Sequence, residues 1–107
     1  MVTIKKNFEF KRALSRGKYR NGKFISVYFF PTKLNILRFG FAVGKKAGNA
    51  VERNRIKRVI REAARLTDFH LEKGYDIVVV WKNVIPAEKV NFQLIKKDIN
   101  SLLEKGS

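Results

Sequence analysis

The stretch KKAGNAVERNRIKRVIREAARL, residues 45–66, decides how the middle of the chain folds. Asn49 stands three residues before Glu52, the spacing of a capping box with Asn as the cap, so a helix is expected from Ala50 to about Thr67. At about 3.6 residues per turn, Ile56, Val59, Ile60, Ala63 and Leu66 share one apolar stripe. Asn54, Lys57, Arg58, Arg61 and Arg65 fall on the opposite side, with Arg53 and Arg55 flanking the stripe. Arg53, Lys57, Arg61 and Arg65 form an i, i+4 ladder of one sign. Like charges at that spacing destabilise a helix, and an ordinary solvated face mixes signs. The ladder makes sense against phosphates, whose oxygens the planar arginine fork binds in pairs. Lys45 and Lys46 precede the helix N-terminus and its free N–H groups, which adds an anion-binding feature. The GKKAGN segment lacks the GxxxxGK[ST] pattern of a P-loop, so nucleotide hydrolysis is not indicated.

Working outward, KFISVYFFP (residues 23–31) alternates as a strand, with Phe24, Ser26, Tyr28 and Phe30 on one face and Ile25, Val27 and Phe29 on the other. LRFGFAVG (37–44) alternates again: Leu37, Phe39, Phe41 and Val43 are large, while Gly40, Ala42 and Gly44 are small. YDIVVVWK (75–82) is almost continuously apolar, as expected for a strand covered on both faces. NFEFKRALSRG (7–17) reads as a helix that Asn7 caps and Gly17 ends, and KYRNGK (18–23) as a tight turn with one short strand. Asn91 caps a last helix with Phe92, Ile95, Ile99, Leu102 and Leu103 at helical spacing. The order αβββαβα predicts an α+β two-layer sandwich: a mostly antiparallel sheet with helices packed on it and a central cleft, in a single domain over residues 1–107.

Opposite the cationic ladder, the small residues Gly40, Ala42 and Gly44 beside Ser26 and Tyr28 have two readings. They let the first helix pack closely on the sheet, or they floor a cleft walled by Phe10 and Tyr28 that takes an extended single strand of nucleic acid. In the second case Lys11, Arg12 and Arg38 would meet its phosphates.

The whole chain carries a formal charge of +15, from 24 Lys and Arg against 9 Asp and Glu. Such an excess repels itself in a compact state and is most easily understood if a polyanion neutralises it. No lipid-length apolar span and no secretory h-region are present, and cysteine is absent, so a cytoplasmic protein with no membrane role is expected. The acids are scattered, Glu52 is occupied by capping, and His70 is the only histidine, expected in a surface or capping role. A metal-dependent nuclease needs gathered carboxylates, so no catalytic residue and no protein-bound metal or other cofactor is expected.

The run Ala50-Val51-Glu52-Arg53-Asn54-Arg55-Ile56-Lys57-Arg58-Val59-Ile60-Arg61, with Lys45-Lys46-Ala47-Gly48-Asn49 before it, resembles the RNR signature of the bacterial ribonuclease P protein subunit. The resemblance extends from NFEFKRAL through the last helix. It implies an accessory subunit that joins a catalytic RNA to cut the 5′ leader from precursor tRNA, with magnesium ions held by the RNA and no obligate protein partner. It implies RNA-subunit contacts at Lys45, Lys46, Asn49, Arg53, Asn54, Arg55, Lys57, Arg58 and Arg61, with Arg65 continuing the ladder. It also implies a leader cleft at Phe10, Arg12, Leu14, Ser26 and Tyr28. Where the family usually carries an aromatic this chain has Leu14, which can wall a cleft but stacks poorly on a base. The family fold implies a left-handed crossover from the strand at 37–43 to that at 75–82, against the general right-handed preference. The alternative is a structural RNA-binding module such as a small ribosomal protein, which composition alone does not separate from the first.

Overall fold

Strands that alternate large and small residues bury the large face, and strands apolar on both faces need cover on both. A computed structural model describes residues 1–67 and 74–103, and it obeys both rules. Its elements are β1 (Val2–Thr3), α1 (Asn7–Arg16), β2 (Lys18–Asn21), β3 (Ile25–Pro31), β4 (Leu37–Ala42), a 3-10 turn at Lys45–Ala47, α2 (Ala50–Arg65), β5 (Tyr75–Trp81), a 3-10 turn at Ala87–Lys89 and α3 (Phe92–Leu103). The α+β class and the predicted order are observed, with β1 added at the start. That two-residue strand pairs Val2 with Arg38 and Thr3 with Phe39, too short a ladder to leave a periodic signal.

The sheet order is β1-β4-β5-β3-β2. The β2–β3 and β3–β5 junctions are antiparallel, while β1–β4 and β4–β5 are parallel. The sheet is therefore more evenly mixed than the mostly antiparallel one expected. The physical reason is α2: a helical crossover between β4 and β5 brings the chain back in the same direction, which a hairpin cannot do.

The two-layer arrangement is also corrected. Ile25, Val27, Phe29, Phe39, Ile77, Val79 and Trp81 form a buried face with Ile56, Ile60 and Ala63 of α2 and Ile95, Ile99 and Leu102 of α3. The other face of the sheet receives α1, whose Phe10 lies over Gly40 and whose Arg12 lies over the Phe30 ring. Both sides of β5 are thus covered: Ile77 and Val79 on one, Val78 on the other, all fully buried. The helices sit on both faces of the sheet.

Two helix ends differ from expectation. Leu66 is half exposed, and Ala64 is buried in its stead. The helix stops at Arg65, and Leu66 (φ −92°, ψ 4°) has left the helical phase that put it on the stripe. Asn7 is the first helical residue of α1 rather than its cap; the cap position is Lys6, without a side-chain bond. Asn91 does cap α3, accepting from the Leu94 N–H at 3.1 Å. His70, with Asp68, Glu72 and Glu104, lies outside the described residues.

One acid on α3 holds the β2–β3 hairpin. Asp98 is buried and accepts from the backbone N–H groups of Lys23, Phe24 and Ile25 at 3.0, 2.9 and 3.0 Å. Gly22 makes room for it, since a Cβ there would lie 2.6 Å from the carboxylate. Lys82 Nζ donates to the Gly22 carbonyl at 2.7 Å, and Arg20 Nη1 to the Leu102 carbonyl at 2.7 Å. These bonds seat an edge strand that, among the described residues, pairs only with β3.

Candidate nucleic-acid interface

The capping box that starts α2 is present in full: Asn49 Oδ1 accepts from the Glu52 N–H and Glu52 Oε1 from the Asn49 N–H, both at 2.9 Å. Gly48 enters it at φ 142°, a conformation that a side chain disfavours. With the start fixed, the helical phase fixes where each cation points. Lys57, Arg58 and Arg61 are exposed, and none has an ion-pair or hydrogen-bond partner among the described residues. Asn54 is exposed beside them, and Lys45 and Lys46 are exposed on the preceding 3-10 turn.

The remaining arginines are engaged by the protein itself. Arg53 is half-buried and donates to the Gly48 carbonyl at 2.8 Å. Arg55 forks onto two carbonyls, Val90 at 3.1 Å and Ala87, and so pins α2 to the turn before α3. Arg65 pairs with Glu62, both at the surface. Hydrogen bonding within that pair raises the arginine pKa and lowers the carboxyl pKa. The outward-facing cationic surface is therefore Lys45, Lys46, Lys57, Arg58 and Arg61, narrower than the full predicted set.

The cleft is built by strand register. Gly40 pairs with Val78, Val78 with Tyr28 and Tyr28 with Tyr19, so these residues form one row across the sheet. The next row is Ala42, Val80, Ser26 and Asn21. The small residues divide by position. Gly40 is a packing glycine: a Cβ there would lie 2.7 Å from Phe10 Cε2. Gly44 faces open space, with nothing within 4 Å of a Cβ. Phe10, Leu14 and Tyr28 are all half-buried. Ser26 is buried and its hydroxyl donates to Asn21 Oδ1 at 2.9 Å, so it is held on the floor.

The basic helix is not opposite the cleft; the two meet. One groove at the β4 edge is lined by Thr3, Ile4, Phe10 and Gly40 on one side and by Asn54, Lys57, Arg58 and Arg61 on the other. Sequence periodicity places residues on faces of single elements and says nothing about which faces converge.

Two cations expected at phosphates turn inward. Arg38 donates to Asp76 through Nε and Nη2, both at 2.8 Å, and to Glu9 through Nη1 and Nη2 at 3.2 and 2.9 Å. Its side chain is only 11% exposed, and it is a structural ion pair rather than a phosphate ligand. Arg12 lies 3.6 Å from Asp76 and 4.5 Å above the Phe30 ring. Asp76, fully buried, was legible only as a strand start; its signal is a single acid at the head of an otherwise apolar run. Tyr19 was also missed, though Asn21-Gly22 marks a hairpin that would place it opposite Tyr28.

Hydrogen bonds from Arg38 hold the Glu9 carboxyl below its ordinary value, and those of Asp76 and Glu9 raise the Arg38 pKa. A carboxylate with a depressed folded-state pKa gives its full stabilisation above the unfolded value, about 4.3, and loses it as pH falls through the folded value. The melting temperature is expected to decline on acidification below about pH 4.3. The decline should be shallower in Glu9→Gln; parallel acid limbs in the two proteins would show that this pair does not couple to folding.

Fold and surface together define a class: a basic α+β protein that presents unpaired cations on one helix beside an aromatic-walled cleft, as polyanion-binding proteins do. The family model for ribonuclease P matches residues 2–106. The chain is 40% identical over 105 residues to the ribonuclease P protein component of Caldanaerobacter subterraneus subsp. tengcongensis, covering 98% of this chain and 89% of that one. It is 38% identical over 108 residues to that of Fusobacterium nucleatum subsp. nucleatum, covering 99% and 97%. Among solved structures, the RNase P protein of Thermotoga maritima superposes with a TM-score of 0.79 at 27% identity, covering 98% of this chain and 97% of that one. The Staphylococcus aureus RNase P protein gives a TM-score of 0.76 at 32% identity, covering 98% and 94%. The chain belongs to the ribonuclease P protein family and is a protein component of that endoribonuclease.

Proposed function

We propose that this chain is one RNA-binding domain that binds the catalytic RNA of ribonuclease P with its α2 surface and receives the 5′ leader of precursor tRNA in the cleft between α1 and the sheet. The observation that carries this is the convergence of Lys57, Arg58 and Arg61 with Phe10 and Gly40 around one groove. A folded RNA seated on the cations would deliver a single strand directly to the cleft. Lys45, Lys46, Asn49, Asn54, Lys57, Arg58 and Arg61 face the RNA, with Arg53 and Arg65 at the margins. Arg55 shapes the surface by fixing α2. In the cleft, Phe10, Leu14 and Tyr28 contact the leader, Ser26 supports the floor, and Arg12 orients Phe30.

Chemistry is assigned to the RNA and its magnesium ions. Among the described acids, Glu9 and Asp76 both face Arg38, and no group of three or more ligand-type side chains gathers among the described residues. The protein acts by binding and positioning, in the cytoplasm, without a membrane or an obligate protein partner. Among the described residues no helix is long and apolar enough to cross a bilayer.

Reconstitution tests this. The chain alone should not cleave precursor tRNA, and adding it to the RNA subunit should lower the magnesium needed for cleavage. Cleavage by the purified chain alone would overturn the assignment. Tyr28→Ala should weaken binding of substrate with a leader by about 5- to 150-fold, the worth of one stacked base, and leave leaderless tRNA unaffected. Equal losses for both substrates would remove the cleft from the leader's path.

A further inference from the structure

A second groove lies at the far edge of the sheet, where α1 ends. Arg16, Lys18, Tyr19, Phe30, Pro31 and Tyr75 contribute to it, and its described lining contains no acidic residue. Tyr19 is 57% exposed. Its ring stacks on Tyr28 with centroids 5.3 Å apart and planes 23° from parallel. The pairing follows from the hairpin register, in which Tyr19 and Tyr28 are direct partners. The row Gly40, Val78, Tyr28, Tyr19 thus ends at β2, about 14 Å from β4 at about 4.8 Å per strand. Phe10 stands over its first member, and Tyr19 is its last.

The stack has a consequence for where a base can go. Tyr19 covers one face of Tyr28, so the open aromatic surface at this end of the row belongs to Tyr19. Arg16 stands beside it at the end of α1, and Lys18, paired with Phe29, points to the other face at the same edge; both are exposed and without an ion-pair partner among the described residues. Cations on an edge strand discourage unwanted strand pairing. That role does not call for an exposed ring held flat by a second ring. A fixed aromatic platform beside cations unpaired among the described residues, in a groove whose described lining holds no acid, is the composition that binds single-stranded nucleic acid through base stacking and phosphate contact.

We propose that Tyr19 is a base-stacking residue for single-stranded RNA, with Arg16 and Lys18 on the adjoining phosphates. The leader then crosses the whole row and leaves over the β2 edge. This rests on the leader occupying the cleft, and it adds a binding step beyond Tyr28.

The test uses the chain reconstituted with the ribonuclease P RNA and precursor tRNAs with leaders of increasing length. Wild-type affinity should rise until the leader is long enough to pass Tyr28 and reach Tyr19. Tyr19→Ala should lose about 5- to 150-fold on long leaders only, with short leaders and leaderless tRNA bound as by wild type. Tyr19→Trp should keep the long-leader gain, and Tyr19→Leu should lose it. Arg16→Ala combined with Lys18→Ala should flatten the salt dependence by about 1.4 for long leaders alone, at about 0.7 per single-strand phosphate contact; this also serves if a Tyr19 variant folds poorly. The proposal is overturned if Tyr19→Ala matches wild type at every length, or if it weakens all substrates alike. A wild-type affinity indifferent to any leader defeats the cleft function itself, which the wild-type series reads separately.

Discussion

The affinity of this chain for the ribonuclease P RNA is expected to fall by about 10³ or more between about 50 and 200 mM monovalent salt. Each phosphate met by a Lys or Arg releases condensed counterions, and about six such contacts give a loss of that size. The outward cations Lys45, Lys46, Lys57, Arg58 and Arg61, with Arg53 beside them, supply contacts of that number. Binding measured across a salt series checks it, and a nearly flat log–log plot would refute the α2 surface as the RNA contact. Single replacements separate the residues further. Arg58→Ala or Arg61→Ala should lower affinity and flatten the slope by about 0.9 each, without changing the melting temperature. Arg55→Ala should instead lower the melting temperature, because its guanidinium holds the Ala87 and Val90 carbonyls.

Asp98→Ala is expected to destabilise the fold by about 3–5 kcal/mol. Hydrogen bonds to a charged acceptor are worth about 1.5–3 kcal/mol each, and this carboxylate takes three from consecutive backbone N–H groups that have no replacement partner. That is a large share of the roughly 5–15 kcal/mol of a small domain, and the melting temperature should drop by about 15–30 °C. Asp98→Asn should recover only part of the loss, since its amide keeps one acceptor oxygen and turns an N–H toward a donor. Thermal denaturation of the three proteins decides the matter; an alanine variant that melts within a few degrees of wild type would mean the hairpin does not depend on the clamp. The consequence reaches function, because the hairpin that Asp98 seats carries both Tyr19 and Tyr28.

Much of the molecule was legible because its elements carry local signals. The Asn49–Glu52 box located the start of α2 to the residue, since capping depends only on chain-local geometry. Alternation sorted β3 correctly, with Ile25, Val27 and Phe29 buried in the core. The near-continuous apolar run of β5 signalled cover on both faces, which Ile77, Val78 and Val79 show. Elsewhere the competing interaction was distant in sequence. Arg38 looked free because its partners, Glu9 and Asp76, come from α1 and β5. Arg55, flanking the apolar stripe, looked like one more cation free for RNA because the carbonyls it binds are more than thirty residues away.

The sequence by itself determined which residues are cationic, which helix carries them, and that a row of small residues would lie in the sheet beside Tyr28. These follow from charge, from helical and strand periods and from caps, all of which act within a few residues. Only the tertiary structure decided which arginines point outward, that the α2 surface and the cleft share one groove, and that Tyr19 stacks on Tyr28. Those outcomes depend on strand order and register, and they are set by how whole faces pack together, which no local period encodes.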